Sequence, residues 1–247
     1  MEFADHLARI ITESEQLLDV LGTAPDAVVT TCPGWTVSDL ARHTGATHRW
    51  ATTNVRNGLA GEVVPTAAPD PEVADADLVA WYSDGAADVV ATLAEAGPGQ
   101  DCWTFGMPRT AAFWARRMCH ETAVHRWDAQ HAVGAAPGVD PHQAADGVDE
   151  VLSVMLRLGL RARGGAPSSS LHLHRTDPGE GPEEWMVRVG DDGRAVVTHE
   201  HGKGDVAVRG PASELFLFLW GRLPLDGGGR SAHGDPEVAA AWGTLTP

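Results

Sequence analysis

The sequence predicts an α+β protein, with an up-and-down helical bundle over residues 1–162 and a smaller α/β C-terminal domain over residues 168–247. Three observations predict it. Apolar residues recur at helical spacing, between recognisable caps and stops, through the first two-thirds of the chain. The segment Arg163-Gly164-Gly165-Ala166-Pro167, with the serines after it, then reads as a flexible connection. Short strand-like runs and one apolar helix follow, the composition of a sheet with a covering layer.

The first helix is expected from Phe3, Leu7, Ile10, Ile11, Ser14, Leu17, Leu18 and Leu21, which share one stripe. After a turn at Cys32-Pro33-Gly34, Thr36 and Asp39 have capping-box spacing, so a second helix should start near Val37 and run towards Asn57. Residues 59–74 are rich in Pro, Ala and Gly and read as a loop, and a third helix should span Asp75 to Ala96, ending at Gly97-Pro98-Gly99. A fourth should cover Thr110 to Val133 and close at Gly134. Asp140 and Pro141 supply the N-cap and first-turn proline of a fifth, through Arg161. Strands are expected at Leu171, Glu184, Arg194 and Asp205, and Pro211 opens an apolar helix stopped by Gly221.

Composition narrows the function. With 43% hydrophobic residues in 247, the chain can fill real cores. A formal charge of -16 repels phosphate backbones and anionic lipid, so neither nucleic acid nor a membrane surface is an expected partner. Cys32, Cys102 and Cys119 form no C-x-x-C pair and are odd in number, which argues against a disulfide framework and for a reducing compartment. The start of the chain lacks the pattern of a signal peptide and no stretch approaches a transmembrane span, so the expected location is the cytoplasm.

The chemistry concentrates on the fourth helix. Trp114, Met118, Glu121, His125, Asp128 and Ala132 step by four and three along one face. A bundle-facing stripe should be apolar, yet Glu121 and His125 interrupt it one turn apart, close enough to chelate one ion. Such a pair is also an ordinary surface pair or a buried ion pair, so a third ligand is required. The second helix offers His43 and His48, which point roughly 140° apart. Periodicity favours His48, on the face of Val37, Leu40, Ala41 and Thr44, but a satisfied core histidine would sit there too, and the pattern alone does not choose. Elsewhere, His172 and His174 read as the solvent face of a strand, His199 and His201 as similarly spaced residues at a strand end, and His120 as pointing away from the pair. Cys119 reads as a buried thiol, while Trp35 and Trp114 could wall a pocket.

Two stretches, CPGWTVSDLARHTGATHRW and RRMCHETAVHRWDAQ, resemble the mycothiol-dependent maleylpyruvate isomerase family, and the likeness spans nearly the whole chain. The resemblance implies a DinB-like metal-binding bundle and a sterol-carrier-like C-terminal domain. It implies His43, eight residues after Trp35, as first metal ligand, with Glu121 and His125 as the others and Asp128 as a supporting partner. It also implies Arg222, after the apolar helix, as a catalytic arginine, a position that equally suits a helix-terminal cation. The implied cofactors are a divalent metal, zinc by ligand type with nickel or iron as further options, and mycothiol. The metal would lower the thiol pKa and the thiolate would attack a small electrophile, giving an isomerase or an S-transferase. Two other readings use the same residues: a non-catalytic small-molecule binder with a structural metal, and a metal-dependent hydrolase.

Overall fold

A computed structural model describes residues 1–60, 73–135, 137–163, 169–190, 195–225 and 227–242, without the side chains of 161–163. Most of the loop expected at 59–74, and the expected 163–167 connection from residue 164 on, therefore lie outside the described residues. The chain forms two compact units, Glu2–Pro137 and Gly138–Pro247 with Met1. No helix is long and apolar enough to cross a membrane among the described residues.

In the first unit, α1 (Phe3–Thr23), α2 (Val37–Asn57), α3 (Leu78–Ala96) and α4 (Ala111–Ala132) make the bundle. The capping box predicted for α2 is present in full: Thr36 Oγ1 accepts from the Asp39 amide at 3.3 Å, and Asp39 Oδ2 accepts from the Thr36 amide at 3.0 Å. A 3-10 turn, Asp75–Asp77, leads into α3. Between α1 and α2 the chain makes a small antiparallel hairpin, β1 (Val28–Val29) and β2 (Trp35–Thr36), turned through Gly34 at a φ of 87°. Sequence periodicity alone does not show this hairpin, because two-residue strands carry no alternation.

Leu17, Val20 and Leu21 of α1, Leu40 and Ala41 of α2, Leu78 and Tyr82 of α3, and Ala129 of α4 form one buried core. The helices α2 and α3 interlock through small residues. A Cβ on Gly45 would stand 2.4 Å from the Trp81 ring, and one on Gly85 would stand 2.2 Å from the Arg49 guanidinium, which itself lies 3.8 Å over Trp81. A second cluster joins Trp50, Trp103, Phe105, Phe113 and Trp114. Trp114 is fully buried there and donates to the Trp103 carbonyl at 2.8 Å.

The buried face of α1 is rotated from the predicted stripe. His6 and Glu13 are buried, whereas Ile11 is 46% exposed. The reason is pairing: Glu13 meets Arg126 of α4 at 2.5 Å, and the His6 ring packs edge-on against His120.

In the second unit, α5 (Pro141–Glu150), a π-helical turn (Val151–Met155) and α6 (Leu156–Arg163) form one continuous rod. Asp140 caps it, accepting from the amides of His142 and Gln143. Among the described residues five strands follow, in the order β5 (Ala195–Thr198), β4 (Glu184–Val189), β3 (Leu171–Arg175), β6 (Val206–Gly210) and β7 (Ser231–His233). The β3–β6 pair is parallel and the rest are antiparallel. The apolar helix α7 (Ala212–Leu219) appears where expected, while β7 and α8 (Pro236–Trp242) are additions to the sequence reading.

The sequence reading groups the fifth helix with the bundle, within residues 1–162, whereas in the structure the compact units part at Pro137 and Gly138. The physical reason is a close contact between α5 and α7. Gly147 admits the Phe216 ring where a Cβ would stand 2.6 Å from it, and the Val139 amide donates to Ser213 Oγ at 2.8 Å.

Candidate metal centre

Helix α4 presents Glu121 and His125 one turn apart, and His125 Nε2 lies 3.2 Å from Glu121 Oε1. From α2, His43 Nε2 reaches the same oxygen at 3.2 Å. One donor atom from each of the three lies within 4.8 Å of the others. The rings of His43 and His125 stand edge to face, 5.0 Å between centroids.

His48 does not join them. It is fully buried and its Nε2 bonds Thr122 Oγ1 at 2.9 Å. Burial pushes its pKa down to about 4, the acidic Glu121 only partly opposing this, so His48 is neutral at pH 7. The periodicity that favours His48 identifies the buried face correctly. The site, however, is built on the flank of that face, where His43 sits with a quarter of its side chain exposed.

A surrounding layer orders the three donors. Asp128 is wholly buried; its Oδ2 is 3.0 Å from His125 Nδ1 and its Oδ1 accepts from Thr31 Oγ1 at 2.6 Å. An Nδ1 facing a carboxylate carries a proton, so Nε2 is the nitrogen directed at Glu121: it donates there while the ring is charged, and it has a lone pair for a metal only once that proton is lost. Cys32 Sγ approaches Asp128 Oδ2 at 3.7 Å, so the β1–β2 hairpin supplies two of the groups around Asp128. Arg117, buried and one turn before Glu121, donates to Glu121 Oε2 at 2.9 Å. Trp35 lies 5.0 Å from the His43 ring, so it does wall the site, whereas Trp114 belongs to the core. His43 Nδ1 is buried with no hydrogen-bond partner among the described residues.

Electrostatics follow the contacts. Burial alone would raise the Glu121 carboxyl, but hydrogen bonds from His125 and His43, with the Arg117 charge, hold it well below the usual carboxylate range. Burial would likewise lower His125, yet bonds to Asp128, Cys32 and Glu121 hold it well above an ordinary imidazole. The site thus keeps Glu121 as an anion.

Donor type and spacing fit a divalent metal. A tetrahedral ion with bonds of about 2.0–2.1 Å has donors roughly 3.3 Å apart, close to the 3.2 Å seen here on both sides of Glu121. The chain matches the mycothiol maleylpyruvate isomerase N-terminal domain over residues 7–130 and the MDMPI C-terminal domain over residues 142–241.

The chain belongs to the mycothiol-dependent maleylpyruvate isomerase family.

Among solved structures it is similar to a mycothiol-dependent maleylpyruvate isomerase, with a TM-score of 0.62, 14% identity, and coverage of 94% of this chain and 93% of that one. A histidine-to-alanine mutant of a mycothiol-dependent maleylpyruvate isomerase matches at the same TM-score, with 13% identity and the same coverage. At this identity the likeness establishes the fold, α+β with a helical N-terminal region and a sheet-bearing C-terminal one. No curated protein matches the chain.

Arg222, the other site residue that the isomerase-family resemblance implies, lies just beyond α7. Its guanidinium donates to the Trp220 carbonyl at 2.8 Å and its amide to the Leu217 carbonyl at 2.8 Å, so it takes part in closing that helix. Cys119 is buried, as read from the sequence. Arg117 stands at i-4 from Glu121, a spacing visible in the sequence, whereas Thr31 and Cys32 reach Asp128 only through the hairpin.

Proposed function

We propose that this chain is a thiol-dependent isomerase. In this reading it holds a divalent metal, zinc by ligand type, on His43, Glu121 and His125, uses mycothiol as its thiol, and acts on a small conjugated acid of the maleylpyruvate kind. Family membership supports the thiol and the reaction class. The carrying observation is the convergence of the three donors within 4.8 Å. Among the described residues that group has three members, the number that leaves a coordination position for an exogenous ligand.

When bound, the metal supplies acidity, lowering the pKa of a thiol so that thiolate is available near neutral pH. The protein's own groups set its position. Arg117 fixes the second oxygen of Glu121, Asp128 fixes the tautomer of His125, and Trp35 packs against His43. Mycothiol, when bound, would supply a sulfur nucleophile for reversible conjugate addition to the double bond of the acid, chemistry that isomerises it with no net consumption of thiol.

The test is turnover of maleylpyruvate by purified protein, with and without mycothiol, with product analysis. Isomerised acid formed only with thiol is the expected result. A stable thioether would make the chain an S-transferase, and hydrolysis of a substrate without thiol would replace the proposal by a hydrolase. Arg222→Lys keeps the charge and loses the bidentate fork, so turnover should fall with bound metal unchanged; full activity removes Arg222 from the mechanism. Asp128→Asn should weaken metal binding by roughly 10–100-fold, the usual cost of losing a carboxylate behind a histidine ligand. Equal affinity of the variant and the parent in a chelator competition would remove Asp128 from the support of the site.

A further inference from the structure

The C-terminal sheet presents a second convergence of imidazoles and carboxylate, unrelated to the bundle site. On β3, His172 and His174 alternate with Leu171 and Leu173, so the two histidines share the face opposite the apolar one. In the antiparallel register Glu184 of β4 stands directly across from His174, on that same face. The chain after β5 then returns over the face and delivers His201. Its approach needs Gly204, where a Cβ would stand 2.7 Å from the Val206 carbonyl and 3.0 Å from the His172 amide.

Three imidazoles meet the one carboxylate. His172 Nε2 lies 3.2 Å from Glu184 Oε2, His201 Nδ1 lies 2.8 Å from the same oxygen, and His174 Nδ1 lies 3.2 Å from Oε1. Donor atoms of His172, Glu184 and His201 fall within 4.8 Å of one another. The sequence reading places His172 and His174 on a solvent face; the face is correct, but His172 is only 6% exposed beneath the returning loop.

We infer that His172, Glu184 and His201 form a second divalent-metal site, with His174 beside Oε1 of the carboxylate, an oxygen that His201 Nδ1 also approaches at 3.0 Å. Two imidazoles and a carboxylate suit zinc and its first-row neighbours, and not the oxygen-seeking calcium or magnesium. The nitrogen-to-oxygen separations of 2.8–3.2 Å bracket the lower side of the roughly 3.3 Å that tetrahedral zinc sets between donors. An ion has a way in: His201 is 81% exposed at its side chain and borders a cleft of about 410 Å³ that also touches His233 and Lys203. Bound there, an ion would tie the loop after β5 to the middle of the sheet.

The experiment counts metal in the full chain, free of any affinity tag. Chelator-treated protein is titrated with Zn²⁺, and with Co²⁺ as a visible-absorption probe, in the parent and in His43→Ala, His201→Ala, Glu184→Gln and His174→Gln. The expected result is two equivalents in the parent and one in each of His43→Ala, His201→Ala and Glu184→Gln. His174→Gln should retain the second ion with affinity reduced roughly 10–100-fold, as for loss of other outer partners. His201 is exposed, so its removal leaves the fold intact, which circular dichroism verifies. A His43→Ala chain that takes up no ion at tenfold excess of zinc overturns the inference. So does a metal count unmoved by His201→Ala and Glu184→Gln. Neither result bears on the bundle site, whose ion is read separately in the His201→Ala chain.

Discussion

Replacing His43 by alanine is expected to strip the metal from the bundle while the bundle stays folded. His43 lies on the flank of α2, partly exposed, and contributes its Nε2 to a shared contact with Glu121 rather than apolar bulk to the core. The loss of a direct ligand should exceed the roughly 10–100-fold that removal of an outer partner costs. His125→Ala should lose metal too, at a further cost in stability, because it removes the imidazole that bonds the wholly buried Asp128 at 3.0 Å. His48→Ala is the informative contrast. It opens a hole in the core where a neutral imidazole bonds Thr122, so it should lower stability and leave the bundle's metal in place. Metal analysis with thermal unfolding reads all three. Unchanged metal in both the His43 and His125 variants would defeat the ligand assignment.

Glu13→Ala is expected to destabilise the protein by about 3–5 kcal/mol, the range for removing one partner of a buried ion pair. Glu13 is 3% exposed and Arg126 2% exposed, so the guanidinium left behind keeps a charge that water cannot reach. Among the described residues two acceptors would remain to it, Gln130 Oε1 at 2.9 Å and the Pro137 carbonyl at 3.0 Å, both weaker counterparts than a carboxylate. Pairing Glu13→Leu with Arg126→Met removes both charges at once and should recover most of the loss. Denaturant unfolding of Glu13→Leu, Arg126→Met and the double variant beside the parent closes the cycle and gives the coupling. A single variant as stable as the parent would show that the pair contributes nothing.

Those two sites mark where sequence patterns reach and where they stop. The spacing of Glu121, His125 and Asp128 was legible because residues on one helix keep fixed angular positions whatever the helix packs against. The α2 cap at Thr36 and Asp39 was legible for the same reason, being closed by atoms three residues apart. His43 against His48 was different. Periodicity reports which face of α2 is buried, and it reported that face correctly, but the metal-capable corner depends on which side of α2 meets Glu121. The resemblance to a known family named His43; the helix pattern did not.

The α1 stripe shows the same limit. An acidic residue reads as solvent-facing, and only a cation presented by another helix makes its burial tolerable, as Arg126 does for Glu13. The fifth helix fails similarly, since its apolar positions state that it packs and leave open against what; the partner is α7, far along the chain.

By itself the sequence determined the α+β class, nearly every described helix, four of the five described strands of the main sheet and two of the three candidate metal donors. All of these rest on interactions within a turn or along a single element. The tertiary structure alone decided the hairpin behind Asp128, the meeting of His43 with Glu121, the buried Glu13–Arg126 pair and the histidines gathered about Glu184. Each of those joins groups on separate elements, and local backbone preference holds no information about which distant side chain will share a low-dielectric corner.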